Sequence, residues 1–299
     1  MPASGATVDV AIVTWNTRET TLEALRRLFK TEPAGTLAVY VRDNASSDGT
    51  ADAIQAAFPD VSVDAGDANL GFAGGVNTIL RRTSAPWCLL LNSDAWPDAG
   101  AIGELVACAE RHPRAAVVAP RLERPNGDLE ASAWPFPSLR VAAGTILRPD
   151  RYLWSHSEER QVDWAVGAAL LIRRDALAEI GELDESLFMY AEDLEWCWRV
   201  RDSGWQIWFT PKAVVRHIGN VSGAQHFGPK QPAAWIANSV RVYRRRHSQV
   251  GTLAWQLTCA TGAALQLRRL RHDPDQAGVW RVQLRSWLRP PTNLDQPRA

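Results

Sequence analysis

No apolar run in these 299 residues reaches the ~20 needed to cross a bilayer. The chain is therefore read as soluble, or as lying on a membrane surface. The opening stretch "MPASGATVDVAIV" has neither a basic segment nor a cleavage site, and is read as a short tail entering a strand rather than a signal peptide. Cysteine is scarce: Cys88, Cys108, Cys197 and Cys259 lie far apart and form no CxxC pair. That argues against a disulfide framework or a zinc site and fits a reducing cytoplasm. The GxGxxG fingerprint is missing, and no lysine follows the glycines of "NLGFAGGVN". A dehydrogenase or a P-loop enzyme is therefore disfavoured. Internal repeats and low-complexity tracts are lacking as well. So is net charge, with 33 basic residues against 33 acidic ones. The balance is uneven along the chain, because 11 arginines face three aspartates from Arg241 onward. The tail is basic and the remainder acidic, and an acidic remainder would repel nucleic-acid phosphates.

What is present is ordinary globular material, 46% hydrophobic and 22% charged, in a chain long enough for one large α/β domain with an appendage. "VDVAIVTW", "LAVYVRD", "VSVDAG", "WCLLLNSD" and "AAVVAP" read as strands, and the segments between them as helices. Leu22, Leu25, Leu28 and Phe29, for example, recur at helical spacing behind Asn16 or Thr17 as a cap. Strand and helix alternate to about residue 120, the βαβ pattern of an open, mostly parallel sheet flanked by helices, and the strands are continuously apolar as that burial requires. Ligands bind such sheets at the carboxyl ends of the strands, where Thr14 to Asn16, Asp43 and Asp94 all fall. From Arg121 to Gln161 the pattern weakens into a Pro- and Trp-rich stretch, read as irregular with a hairpin at "RPNGDLE". "VDWAVGAALLIRRDAL" restores a strand and a short helix, and "AEDLEWCWRVRDSG" is a helix closing on Gly204. "WQIWFTP" and "AVVRH" are expected as two strands, and the chain after Gln231 as helical.

Each candidate group has a structural reading beside the functional one. Asp94 ends the run "LLLNSD" and could cap a helix, since Asp is common between a strand and a helix. Asp48-Gly49 reads as an Asx turn, but Asp43 sits where ligands gather. Glu192 and Asp193 open a helix, where the dipole favours acids, yet a carboxylate there can also serve as a general base. His217 ends an apolar strand and matters for a metal only if a carboxylate is near. The loop "NLGFAGGVN" is a turn before a helix, whose free N–H groups can receive a diphosphate.

Six segments in order, "VTWN", "VRDNASSDGT", "NLGFAGGVN", "LLLNSDAWPD", "VDWAVGAALLIRRDAL" and "LFMYAEDLEWCWRVRDSGW", resemble family 2 inverting glycosyltransferases of the GT-A fold, in the rhamnosyltransferase-like branch. The resemblance runs from about Val8 to His217. It implies a GT-A domain over 1–230, with a nucleotide-sugar half (1–120) and an acceptor and catalytic half (121–230), followed by a helical basic extension over 231–299. Carried over by position, Thr14 and Asn16 line the nucleotide pocket and Asp43 meets the pyrimidine base. Asn69, Gly71 and Phe72 lie near the sugar and diphosphate. Asp94 is the last residue of a DxD-type motif that reads Asn92-Ser93-Asp94, so the first carboxylate is missing. A divalent cation, Mg²⁺ or Mn²⁺, would rest on Asp94 with phosphate oxygens, water and His217. Asp193 is the implied base, Glu192 would position the acceptor or orient that base, and Trp164 and Gly167 would floor the acceptor pocket.

The implied reaction moves a sugar, L-rhamnose from dTDP-L-rhamnose first and UDP-sugars next, to a hydroxyl of a glycan or polyprenyl-diphosphate-linked acceptor in cell-surface polysaccharide synthesis. Alternatives are a small natural-product acceptor or a degenerate, non-catalytic nucleotide-sugar-binding module. A nucleotidyltransferase would need a basic glycine-rich loop after the first strand, and "TWNTRET" is not one. In the tail, Arg241, Arg244, Arg245 and Arg246 cluster, and Trp280, Trp287 and Leu288 interleave with Arg281, Arg285 and Arg289. That pattern suits an anionic membrane surface on the cytoplasmic face, with a solvated tail or a homodimer interface as the bland readings.

Overall fold

A computed structural model describes residues 7–32, 36–147, 156–219 and 221–291. The expected N-terminal tail and the last arginine, Arg298, lie outside them. The first half alternates strand and helix: β1 (Val8–Thr14), α1 (Arg18–Thr31), β2 (Leu37–Asp43), α2 (Thr50–Ala57), β3 (Ser62–Ala65), α3 (Gly71–Leu80) and β4 (Trp87–Asn92). These strands lie parallel in the order β3-β2-β1-β4. The register sets Thr14 beside Asp43 and Val13 beside Asn92, so three candidate residues end their strands along one edge.

After Asn92 the chain turns into a three-residue strand, β5 (Ala95–Pro97), before α4 (Ala101–Arg111) and β6 (Ala115–Glu123). Asp94 therefore caps no helix: α4 starts at Ala101 behind Gly100. The hairpin expected at "RPNGDLE" forms between β6 and β7 (Leu129–Glu130). The stretch read as irregular also contains β8 (Ala133–Trp134) and a helix, α5 (Leu139–Leu147). Ser138 starts that helix, its Oγ accepting from the Val141 N–H at 3.1 Å. Proline at 135 and 137 dominates the composition just upstream and hides it. Next come β9 (Arg160–Val162), β10 (Trp164–Ala165), β11 (Ala169–Arg173), α6 (Arg174–Ile180) and α7 (Glu192–Asp202). The two strands expected near the end are one, β12 (Gln206–His217). Its pairing with β6 breaks between Thr210 and Val214, where Pro211 has no N–H to give to the ladder.

The sheet continues β4-β11-β6-β12-β5, with β11 antiparallel to both neighbours and β12 parallel to β6. Successive side chains bury into opposite faces. Val8, Val10, Ile12, Leu89 and Leu91 pack with α1, α2 and α4, while Ala11, Cys88 and Leu90 pack with α3 and α7. The second face also receives the C-terminal helices α9 (Gln231–Arg244), α10 (Gln249–Arg269) and α11 (Pro274–Leu288), which follow the short α8 (Val221–Phe227). Tyr243 stacks on Trp255 with ring centroids 4.2 Å apart, and Trp255 meets Trp287 edge-on at 5.1 Å. Two details of the expected tail are corrected. Trp287 is buried and Trp280 packs against the core, so the tryptophans are not surface anchors. Arg245 pairs with Asp184, and Arg246 with Asp202, so these guanidinium groups fasten α9 to the body of the protein. All four cysteines are free.

Candidate active site

The carboxyl edge of the sheet is closed by short polar contacts. Thr14 shares hydroxyl hydrogen bonds with Thr17 and Thr21, at 2.8 and 2.9 Å. Thr17 precedes α1 but makes no side-chain cap. Asn16 has positive φ (51°), and its side-chain oxygen accepts from the Ser47 N–H at 2.8 Å. Its own N–H donates to Ser46 Oγ. Asp43 is buried and accepts from the Ser46 N–H and hydroxyl through Oδ1. The β2–α2 turn is thus tied to the end of β1, and Thr14, Asn16 and Asp43 share one small region.

Next to it α3 begins on Gly71. Asn69 Oδ1 accepts from the Gly71 N–H (2.9 Å), Asn44 Nδ2 donates to the Gly71 carbonyl (2.9 Å), and the Phe72 N–H donates to the Phe188 carbonyl (2.7 Å). Two N–H groups at this helix start are therefore consumed internally, which leaves less for a diphosphate than the sequence reading expected. Gly71 is obligatory here. Its φ is +72°, and a Cβ would sit 2.1 Å from the Phe188 carbonyl oxygen.

Asp94 and His217 meet because β5 lies antiparallel on the end of β12, with Ala95 opposite His217. His217 Nε2 lies 3.3 Å from Asp94 Oδ1 and 3.3 Å from Asn92 Nδ2. On the other side of the ring, Nδ1 lies 3.1 Å from Glu130 Oε2. Burial pushes the imidazolium's pKa down, but the two carboxylates outweigh it and raise it to about 9. Asp94 Oδ2 is buried with no hydrogen-bond partner. An orphaned carboxylate oxygen beside this ring, with a carboxylate behind it, is a donor set that suits a hard or borderline divalent cation once Nε2 gives up its proton. The residues fit the ion that the fold implies. Glu130 went unnoticed in the sequence, where its only signal was the last letter of a hairpin.

Glu192 and Asp193 are presented by backbone held away from ordinary helix entry. Tyr190 and Ala191 both have positive φ, 74° and 66°. Such conformations cost roughly 1–3 kcal/mol each outside glycine and gather at functional sites. Asp193 is held at both oxygens: the Gly167 N–H donates to Oδ2 (2.9 Å) and the Leu194 N–H to Oδ1 (2.7 Å). Burial pushes its carboxyl up to about 6 in spite of those donors. Glu192 is raised further, by burial and then by the charge of Asp193, and its Oε2 is buried without a partner. Two adjacent buried carboxyls do not ionise together cheaply, and the two N–H donors favour the anion at Asp193. Trp164 is buried, and its indole N–H donates to the Pro135 carbonyl (3.1 Å).

These positions form one neighbourhood. The Asn92 N–H donates to the Ala168 carbonyl (2.9 Å), and the adjacent Gly167 holds Asp193. A Cβ on Gly167 would touch Phe72 at 3.4 Å. Trp15, Phe188 and His226 add rings at the same edge, with His226 5.5 Å from Trp15 and 5.1 Å from Phe188. A second group of metal-ligating residues among the described ones is Cys108, His112 and Glu159. It lies near the start of β6, and Arg111 already engages both oxygens of Glu159. It stands apart from the carboxyl edge.

The profile of glycosyl transferase family 2 matches residues 9–181. An N-acetylglucosaminyl-diphospho-decaprenol L-rhamnosyltransferase of Mycobacterium tuberculosis is 32% identical over 223 residues, 67% of this chain and 71% of that protein. A pre-mycofactocin glycosyltransferase of the same species is 27% identical over 64% of this chain and 39% of its own length. Among solved structures, a mannosyltransferase of Pyrobaculum calidifontis in complex with GDP-Man and Mn²⁺ superposes with a TM-score of 0.61 at 18% identity, covering 96% of this chain and 86% of that one. GalNAc-T7 with UDP, GalNAc and Mn²⁺ superposes at 0.62 and 15% identity, covering 90% and 54%. With the sheet order, the strand-end carboxylates and these matches in agreement, the chain belongs to glycosyl transferase family 2, as a GT-A glycosyltransferase of the rhamnosyltransferase-like branch.

Proposed function

We propose that the protein is an inverting rhamnosyltransferase that moves L-rhamnose from dTDP-L-rhamnose to a hydroxyl of a polyprenyl-diphosphate-linked glycan. The donor and acceptor are carried over from the 32% identical rhamnosyltransferase, whose name gives a diphospho-decaprenol acceptor. The observation that carries the mechanism is the division of labour between two adjacent carboxyls. Asp193 is oriented by the Gly167 and Leu194 N–H groups, which favour its anion, whereas the buried Glu192 Oε2 has no partner.

Asp193 takes the proton of the incoming hydroxyl. The hydroxyl oxygen then attacks the anomeric carbon from the face opposite the nucleoside diphosphate. The bond to the diphosphate oxygen breaks as the new one forms, which inverts the centre. Asp94 and His217 would hold the divalent cation, with Glu130 orienting the ring, and the cation when bound supplies charge to the departing diphosphate. Thr14, Asn16 and Asp43 would receive the nucleoside, Asn69, Gly71 and Phe72 the sugar side, and Trp164 and Gly167 the acceptor. The GT-A domain over 1–230 and the basic extension over 231–299 complete the reading. No helix among the described residues is long and apolar enough to cross a membrane. In this reading the lipid-linked acceptor is met at the membrane surface, on the cytoplasmic face.

The test is a donor panel of dTDP-rhamnose and UDP-sugars, each with and without a polyprenyl-diphospho-N-acetylglucosamine acceptor. Rhamnosylation with the inverted anomer is the expected product. Turnover of UDP-sugars alone, or no turnover with any donor, would overturn the assignment.

A further inference from the structure

Arg241, Arg245 and Arg246 of the first arginine cluster are spent on the protein itself, and a different surface is left over. One face of α10 packs inward through Trp255, Ala260 and Ala263. Its opposite face is apolar and open: Val250 is 79% exposed, Leu253 56% and Leu257 50%. Ala264 and Leu265 continue the same stripe, which ends at Arg268. The spacing is that of a single helix face running the length of a 21-residue helix. Beside it Ile146 of α5 packs against Gly262, and the next residue, Leu147, is 79% exposed.

We propose that this outward face of α10 docks on an anionic lipid bilayer. Three observations converge. An exposed apolar stripe of this length on a soluble surface marks an interaction site. Its charge is all of one sign, for α10 carries no acidic residue and ends in exposed Arg268 and Arg269, with exposed Arg271 just beyond. From Gln249 to Pro291 only Asp273 and Asp275 oppose six arginines. A helix of this kind lies in the interface plane, leucines in the acyl boundary and guanidinium groups among the phosphates. Acidic headgroups complement the arginines that end the stripe. Beside the stripe, a cavity of about 210 Å³ between α5, α10 and α11 is lined by Ile146, Cys259, Trp280 and Arg269. The inference gives the proposed peripheral location a surface, and it stands whether or not the acceptor is lipid-linked.

The experiment is co-sedimentation of the full chain with vesicles of phosphatidylcholine, alone or mixed with phosphatidylglycerol, at low and high salt. Binding is expected only to the anionic vesicles, and weaker at high salt. L253E/L257E should lower the partition coefficient by about tenfold or more, with melting temperature and nucleotide binding retained. R268A/R269A should lower it severalfold and flatten the salt dependence. R245A/R246A should leave binding unchanged, since Asp184 and Asp202 occupy those side chains. The proposal fails if L253E/L257E binds like the parent, or if no vesicle is bound. It also fails if ultracentrifugation shows a dimer that L253E/L257E splits.

Discussion

Asp193→Asn keeps the size of the proposed base and removes its proton affinity, so it separates chemistry from structure. Burial raises the Asp193 carboxyl from its ordinary 3.8 to about 6. At 1.36 kcal/mol per unit, ionising it inside the fold costs about 3 kcal/mol relative to the unfolded chain. The folded pKa lies above the unfolded one. The contribution to stability is therefore intact below about pH 4 and is lost as pH rises through about 6. An asparagine has no such loss. It does forfeit one acceptor, because its Nδ2 would face the N–H of Gly167 or Leu194, at a cost of about 1–3 kcal/mol at every pH. The stability difference between variant and parent should thus swing toward the variant by about 3 kcal/mol between pH 4 and pH 7.5, read by urea unfolding across that range. Turnover should fall by about 10²–10⁴-fold with nucleotide affinity unchanged, and the parent's own turnover should rise as pH passes about 6. A flat stability difference together with undiminished turnover would refute the assignment of Asp193 as a buried, ionising base.

Four further substitutions probe the rest of the site. Glu192→Gln keeps the shape of a neutral carboxyl at a buried position whose Oε2 has no partner, so it should keep far more turnover than Asp193→Asn; the reverse order would exchange the two roles. Asp94→Ala should abolish the Mn²⁺-dependent part of nucleotide binding, and Glu130→Gln should weaken Mn²⁺ binding by about 10–100-fold in direct titration; unchanged titration curves would remove both residues from the cation site. Gly71→Ala forces a Cβ to within 2.1 Å of the Phe188 carbonyl oxygen at positive φ, and should cost at least about 2 kcal/mol or prevent folding. An alanine variant with the parent's melting temperature would show that the turn can relax.

The parallel half of the sheet was legible in the sequence because strands buried on both faces are continuously apolar. Asp43 and Asn92 announce themselves as polar residues ending such runs. The pairing of Asp94 with His217 was not legible. It depends on β5, a three-residue strand whose letters AWP carry no alternation, lying against a partner some 120 positions away. Glu130 was hidden for the same reason, since a two-residue strand has no period. The left-handed backbone at Tyr190 and Ala191 was invisible too, because neither residue type favours it and only the surrounding packing imposes it. In the tail, counting charges placed the arginines correctly but not their partners. Asp184 and Asp202 lie 61 and 44 positions upstream, and no local pattern ties them to α9.

The contact between Gly71 and Phe188 also bears on recombination. The first turns of α3 lie so closely against residues 182–188 that the Phe72 N–H and the Asn77 side chain both bond that segment, Asn77 Nδ2 donating to the Leu183 carbonyl and Asn77 Oδ1 accepting the Leu183 N–H. A chimera that exchanged residues 1–120 for a relative's would sever this match, however well each half folded at home. The transferable unit is discontinuous: residues 69–77 and 182–193 must travel together. A graft that respects that pairing keeps Asp193 in register with the helix start at Gly71.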